Sequence, residues 1–166
     1  LFLHCSMSID VEQLYRDLHA HPELSFQEHR TAGIVAEHLH ALGFTVHPGI
    51  GVTGVVGILT NGPGRTVLLR ADMDGLPVEE ATGLDYASTA RGVDQDGKDV
   101  PVMHACGHDV HVACLLGALE RLVDERANWQ GTVIAVFQPA EESGGGAQAM
   151  VDAGLFDLVP RPDVVL

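Results

Sequence analysis

The chain has 166 residues, of which 46% are hydrophobic, and its nine lysines and arginines against 23 aspartates and glutamates give a formal net charge of −14. This length and apolar content predict one globular domain with a hydrophobic core and exclude a disordered chain. The negative charge argues against a nucleic-acid partner. No apolar run reaches the roughly 20 residues that span a bilayer, so a cytoplasmic protein without a membrane partner is predicted.

The first residues have neither the basic segment nor the small-residue cleavage pattern of a signal peptide. The chain begins with Leu, and Met7 is a more natural start. Residues 1–6 are therefore predicted to be a non-native or disordered leader, and residues 7–166 to form the domain. Three cysteines are too few and too unevenly spaced for a disulfide framework, which indicates reduced thiols.

The N-terminal part of the domain predicts two helices. Apolar residues at helical spacing indicate the first over residues 9–19, with Ser8 as its cap and Pro22 as its stop. Ser25 and Glu28 fit a capping box for the second helix, which Gly43 ends. His19 and its neighbours precede that box and are interpreted as mainly structural.

The remainder of the chain alternates strands and helices. β-rich runs at 52–59 and 66–71 are joined by Asn-Gly-Pro-Gly, which favours a hairpin or another tight connection. A long stretch of little periodicity follows and is typical of a functional loop. This loop spans residues 75–100. The elements predicted after it are a helix at 107–126, a strand at 131–137, a short helix at 150–154 and a strand within 163–166.

This alternation predicts an α/β fold, with a mostly parallel or mixed sheet and helices on both faces. In open sheets of this class, ligands bind beyond the carboxyl ends of the strands. The chemistry-bearing residues of the chain lie where predicted strands end or predicted helices begin. A single site at this edge of the sheet is therefore expected.

A cluster of metal-ligating residues opens the helix at 107–126. It comprises His104, Cys106, His108, Asp109 and His111. Thiolate and imidazole together are ligands that a divalent transition metal prefers, and the start of a helix favours the thiolate. Asp109 fits a carboxylate that orients a metal-binding imidazole. Each residue alone could be structural, and Cys114, on the apolar face of the helix, is interpreted as a small buried side chain.

Two pairs of carboxylates follow predicted strands. Glu141 and Glu142 come after the strand at 131–137, where one carboxylate can bind a metal while the other transfers protons. Asp72 and Asp74, two residues apart at the end of an extended run, are expected to point the same way, with one of them facing the site. Either pair could also be a solvated acidic turn.

Four motifs taken together resemble the bacterial and plant N-acyl-amino-acid amidohydrolases, a group that includes hippurate hydrolases and indole-acetyl-amino-acid hydrolases within the dinuclear zinc-peptidase superfamily. The motifs are His-Ala-His-Pro-Glu-Leu-Ser at 19–25, Leu-Arg-Ala-Asp-Met-Asp-Gly-Leu-Pro at 69–77, Met-His-Ala-Cys-Gly-His-Asp-Val-His at 103–111 and Phe-Gln-Pro-Ala-Glu-Glu at 137–142.

The resemblance implies a role for each matching residue. Cys106, His108 and Glu142 would bind metal, and Glu141 would be the general base. From their positions in the sequence, Asp72, Asp74, His104, Asp109 and His111 are predicted to support the site. Two divalent ions (Mn, Zn, Co or Ni) and a small N-acyl amino acid substrate are implied for the complete enzyme.

The resemblance also implies further histidine ligands and an inserted lid domain beyond Leu166, through which a homodimer would form. Residues 7–166 would then be the N-terminal part of a catalytic domain, and alone they are expected to bind metal weakly and to be inactive. Three alternatives stay open: a hydrolase with Cys106 as nucleophile, a truncated non-catalytic remnant or binding module, and a dipeptidase or carboxypeptidase of the same superfamily.

Overall fold

A computed structural model describes residues 8–166, so the predicted leader lies outside the described residues. The helices are α1 (Val11–Ala20), α2 (His29–Ala41), α3 (His108–Asp124), α4 (Gly146–Asp152) and α5 (Leu155–Leu158). The strands are β1 (Thr45–Ile50), β2 (Gly54–Asn61), β3 (Thr66–Asp72), β4 (Arg91–Val93), β5 (Asp99–Pro101), β6 (Gly131–Gln138) and β7 (Val164–Val165).

The main sheet has five strands in the order β1-β2-β6-β3-β7. β2 is antiparallel to both β1 and β6, whereas β3 runs parallel to β6 and β7. The sheet is therefore mixed, as the sequence predicted. Because β3 and β6 are adjacent and parallel, with Asp72 opposite Gln138, the segments that follow both strands leave the sheet at the same edge.

Side chains of β6 alternate between two hydrophobic cores because successive residues of a strand point to opposite faces. Val133, Ala135 and Phe137 pack in the larger core with α1, α2 and α3, while Ile134 and Val136 pack in the smaller core with α4 and α5. Helices therefore cover both faces of the sheet, as predicted. None of the helices in the described part of the chain combines the length and apolar character needed to cross a membrane.

Both predicted helix caps are wrong. α1 begins after Asp10, whose carboxylate accepts the Gln13 backbone N–H at 3.0 Å, so Ser8 does not cap it. α2 has no side-chain cap. Tertiary contacts compete for the residues of the proposed capping box: Ser25 donates to Asp74, and the Glu28 carboxylate is fully buried beside Thr53 and Ala140. The predicted stop at Gly43 is confirmed by its left-handed backbone, φ +82°.

The predicted hairpin also does not form, because β6 lies between β2 and β3. The Asn-Gly-Pro-Gly segment makes the predicted tight connection, but β2 and β3 each pair with β6 and not with one another.

Three other features differ from the sequence predictions. The strand β1 was not predicted. The loop at 75–100 contains the small antiparallel pair β4–β5. Cys114 is exposed rather than buried, since it faces outward between the buried Ala113 and Leu115.

Candidate metal centre

The site lies where β3 and β6 end and α3 begins. Asp72 is the last residue of β3, and His108 is the first residue of α3. Glu141 and Glu142 follow β6 across a short turn. The parallel register of β3 and β6 therefore brings the aspartate pair and the glutamate pair to one edge, as expected for a sheet of this class.

His108 lies at the centre of the site. Its side chain is 5% exposed, and its Nδ1 donates to the backbone carbonyl of Asp74 at 2.8 Å. This hydrogen bond turns Nε2 towards three carboxylate oxygens: Asp72 Oδ2 at 3.7 Å, Glu142 Oε1 at 3.7 Å and Glu141 Oε2 at 3.8 Å. These distances are too long for hydrogen bonds.

The electrostatics of His108 follow from these neighbours. Burial alone would lower the pKa of this imidazole. The hydrogen bond with Asp74 and the charge of Asp72 outweigh burial and raise the pKa to about 9. The surroundings of Nε2 therefore favour positive charge there, whether a proton or a cation supplies it.

Asp72 links His108 to the second histidine of α3. Its Oδ1 accepts a hydrogen bond from His111 Nδ1 at 2.6 Å, and its Oδ2 accepts one from Arg70 at 3.1 Å. The rings of His108 and His111 stack with their centroids 5.7 Å apart, because residues one helical turn apart share a helix face. Burial alone would raise the pKa of Asp72, but the hydrogen bond from His111 and the charge of His108 hold it below its ordinary value.

Asp74 contacts both the glutamate turn and His108, whose Nδ1 lies 3.3 Å from Asp74 Oδ1. Its two carboxylate oxygens accept the backbone N–H groups of Glu141 and Glu142, each at 3.0 Å, and Oδ2 also accepts the Ser25 hydroxyl at 2.7 Å. The side chain is 0% exposed. Both aspartates therefore belong to the site: Asp72 contacts both imidazoles of α3, whereas Asp74 contacts His108 and also fixes the backbone that carries the glutamates.

A second buried carboxylate holds the turn just before the glutamates. Glu28 accepts the Ala140 backbone N–H at 2.8 Å, and burial raises the pKa of Glu28. Ala140 has a left-handed backbone, φ +49°. The turn also needs glycine at position 146, because a Cβ there would lie 1.6 Å from the Pro139 carbonyl oxygen. The sequence contains two signals for this turn, namely Glu28 and the run of three glycines at 144–146. Glu28, however, was interpreted as part of a capping box.

The two glutamates differ in their environments. The Glu142 side chain is 19% exposed, against 42% for Glu141. Within the described residues, Glu142 Oε1 is buried and has no hydrogen-bond partner. A buried carboxylate oxygen without a donor is costly unless a cation or water satisfies it. Glu142 therefore has the environment of a ligand, and the more open Glu141 that of a group in contact with substrate or water.

Cys106 is exposed and lies beside Glu142, two residues before α3 begins. The prediction that the helix start favours its thiolate is wrong for the protein without a metal. The neighbouring Glu142 carboxylate and the charge of Glu141 raise the pKa of the thiol. A bound cation would reverse this balance, since a metal deprotonates a coordinating thiol.

Asp109 orients an imidazole, but that imidazole is His19 rather than one in the cluster. His19 Nδ1 lies 2.6 Å from Asp109 Oδ2, and His19 Nε2 lies 3.0 Å from Glu80 Oε1. Burial lowers the pKa of His19, but the two carboxylates outweigh burial and raise the pKa above its ordinary value, which favours the imidazolium that donates to both. Sequence reasoning gave His19 a mainly structural role and missed Glu80. The available signal was the position of His19 beside Leu18 and one turn after Tyr15, on the buried side of α1.

His104 is buried, and its charged neighbours include Asp109, His108 and His19. Burial lowers its pKa to about 4, so the imidazole is uncharged at neutral pH. Neither ring nitrogen has a hydrogen-bond partner in the part of the chain that the structure describes. The predicted supporting role of His104 is thus compatible with its location but is not carried by any hydrogen bond.

The donor set fits a divalent transition metal. Ligand atoms bound to one tetrahedral zinc ion at about 2.0–2.2 Å lie roughly 3.3–3.6 Å apart, close to the 3.7 Å between His108 Nε2 and Glu142 Oε1. Within residues 8–166, two groups could hold an ion: Asp72 with His108 and His111, and His108 with Glu141 and Glu142. The fold and site together define an α/β protein with a candidate metal centre at the carboxyl ends of its strands.

Comparison with known proteins places this architecture in a family. Residues 68–166 match the family described as Peptidase family M20/M25/M40, and the chain belongs to that family. The chain is 48% identical over 151 residues to thermostable carboxypeptidase 1 of Saccharolobus solfataricus. The aligned region covers 89% of this chain and 36% of that relative. It is 44% identical over 149 residues to hippurate hydrolase of Campylobacter jejuni, with the same two coverages.

A solved structure supports the same assignment. The YXEP protein of Bacillus subtilis, described as a dinuclear metal-binding peptidase of the M20 family, superposes with a TM-score of 0.77 at 37% identity. The match covers 89% of this chain and 39% of that protein. The chain thus spans about a third of the length of the curated relatives it matches.

Proposed function

We propose that the protein is a metal-dependent amidohydrolase that cleaves an N-acyl or N-aroyl amino acid to a carboxylic acid and a free amino acid. The single observation that carries the proposal is the placement of His108 Nε2 among three carboxylate oxygens at 3.7–3.8 Å, one of which, Glu142 Oε1, is buried without a partner. The similarity to a hippurate hydrolase supports this choice of substrate class.

In this proposal His108, Glu142 and Cys106 bind metal, and residues beyond the described ones supply the remaining ligands. When bound, the ions would supply positive charge that stabilises the negative charge developing on the amide oxygen and would make water a stronger acid. The metals would be Mn, Zn, Co or Ni, two per active site. We further propose that residues 7–166 form the N-terminal part of a longer catalytic domain, because the matched region covers only 36% of the relatives.

The roles of the protein's own residues follow from their environments. Glu141, the more exposed glutamate, would take a proton from the attacking water and return it to the leaving nitrogen. Asp74 would hold the backbone of both glutamates, and Asp72 and His111 would fix the charge beside His108. The thiol of Cys106 faces carboxylates that raise its pKa, which disfavours it as a nucleophile.

A second candidate function is a metallo-carboxypeptidase, because the chain is 48% identical to a protein named thermostable carboxypeptidase. The two reactions break the same kind of amide bond and differ in whether the substrate is an acylated amino acid or a peptide.

The proposal also includes a cytoplasmic location, because three sparsely spaced cysteines are typical of a protein with reduced thiols. A homodimer formed through a lid domain stays a prediction.

Metal removal tests the proposed chemistry. The complete gene product is dialysed against a chelator and assayed on hippurate, N-acetyl amino acids, indole-acetyl amino acids and a peptide with a free carboxyl terminus. We expect activity to fall at least a hundredfold and to return with one of the four metals, with the acylated amino acids cleaved faster than the peptide. Faster cleavage of the peptide would favour the second function.

Two outcomes would contradict the metal-dependent reaction. Full activity after chelation, lost on thiol alkylation, would instead support Cys106 as a nucleophile. No activity on any substrate with each metal present would support a non-catalytic product.

A further inference from the structure

Three buried ionisable side chains form a hydrogen-bonded chain next to the metal centre. Glu80, His19 and Asp109 come from the loop after β3, from α1 and from α3, respectively. Their side chains are 0%, 7% and 2% exposed. His19 lies in the middle, with Nε2 3.0 Å from Glu80 and Nδ1 2.6 Å from Asp109.

Stabilising the fold does not by itself explain a buried cluster of this kind. Taking two carboxylates and an imidazole out of water costs several kcal/mol, and well-packed apolar side chains often do as well or better. Tyr86 packs edge-on against the His19 ring, and Tyr15 lies tilted against it, so that the ring has little freedom to move. The cluster is therefore expected to have a role other than stabilising the fold.

Both ends of the chain are anchored by backbone groups. The second oxygen of Glu80 accepts the Ser88 N–H at 2.6 Å, which ties the loop around residues 80–88 to it. The second oxygen of Asp109 accepts the Val110 N–H at 2.9 Å, in the first turn of α3. His19 is thus the link between a closed loop and the start of the helix that carries His108.

The same loop also holds His108 directly. Asp74, six residues before Glu80, accepts the hydrogen bond from His108 Nδ1 through its backbone carbonyl. The first turn of α3 is therefore fixed at two consecutive residues, His108 by Asp74 and Asp109 by His19. Gly107, with φ +79°, precedes this turn and has no side chain to restrain it.

We propose that His19 is a positioning residue of the metal centre: by joining Glu80 to Asp109 it fixes the first turn of α3, so that His108 presents Nε2 to the metal. The inference deepens the proposed function and depends on it. It assigns no contact between His19 and metal or substrate. Groups that hydrogen-bond directly to a metal-bound imidazole change metal affinity about 10–100-fold when removed. His19 acts one step further out, through Asp109, so the lower end of that range is expected.

The test compares variants of the complete gene product by a readout other than activity. His19→Phe keeps an aromatic ring but removes both hydrogen bonds, and Glu80→Gln removes one charge while keeping the shape of the side chain. His21→Gln is the matched control, because the exposed His21 side chain has its polar contacts in the described residues with Asp17 alone, at 2.7 Å from the carbonyl oxygen and 3.5 Å from the carboxylate. Each protein is loaded with Co(II), and its visible spectrum and its affinity in competition with a chelator are measured.

We expect the affinity for Co(II) to fall about tenfold or more in His19→Phe and about threefold in Glu80→Gln, with altered visible bands in both. His21→Gln should match the wild type. A wild-type spectrum and affinity in folded His19→Phe and Glu80→Gln would overturn the inference and leave the proposed function intact. If His19→Phe does not fold, Glu80→Gln decides alone. A wild-type protein that binds no Co(II) would overturn both.

Discussion

Replacing Glu141 with glutamine in the complete protein is expected to lower kcat about a thousandfold, because the amide cannot accept a proton from water. The substitution keeps the size of the side chain. The backbone N–H of residue 141 still donates to Asp74, so the glutamate turn should keep its conformation. Metal content, measured by elemental analysis, should equal that of the wild type.

The neighbouring glutamate provides the matched control. Glu142→Gln changes the same functional group one residue further on, at the less exposed position whose Oε1 has no partner in the described structure. Its main effect should be weaker metal binding, with activity partly recovered at high metal concentration. Wild-type turnover in Glu141→Gln would refute its role as the base, and equal metal loss in both variants would refute the division of roles.

The second large effect is expected at Asp74. Asp74→Ala leaves the backbone N–H groups of Glu141 and Glu142 without their acceptor. Each unsatisfied buried donor costs roughly 1–3 kcal/mol, so the free energy of unfolding should fall by about 3 kcal/mol in chemical denaturation. Metal affinity should fall as well, because the backbone carrying Glu142 is released.

Ser25→Ala is the control for this prediction. It removes one of the groups that donate to Asp74 but leaves both backbone hydrogen bonds in place. Its loss of stability should stay within about 1 kcal/mol, with metal affinity close to that of the wild type. Equal effects of Asp74→Ala and Ser25→Ala on metal affinity would contradict the assignment of Asp74 as the support of the glutamate turn.

Local sequence patterns predicted the parts of the fold that depend on periodicity. The apolar stripes of the helices and the alternation along β6 predicted two covered faces, and the position of Asp72 at a strand end predicted where the site would lie. The cluster opening α3 was also recognisable, because imidazoles one helical turn apart must share a face. His108 and His111 do stack in the structure.

Features that depend on long-range pairing could not be predicted. The turn chemistry at 61–64 correctly predicted a tight connection, but it could not show that β6, which is distant in the chain, lies between β2 and β3 and prevents a hairpin. Ser25 and Glu28 matched a capping box, but both side chains bond to residues far along the sequence. Glu80 carries no local signal at all, since only the fold brings it to His19.

The most direct test of the central claim is a crystal structure of the complete protein loaded with zinc or manganese, with anomalous data collected at the absorption edge of the metal. We expect anomalous peaks within about 2.5 Å of His108 Nε2, the Glu142 carboxylate and Cys106 Sγ. The Glu141 carboxylate should lie near the ions and remain free to reach water. If the metal-loaded protein is active but its crystal shows no anomalous peak near His108 and Glu142, the proposed metal ligands are wrong.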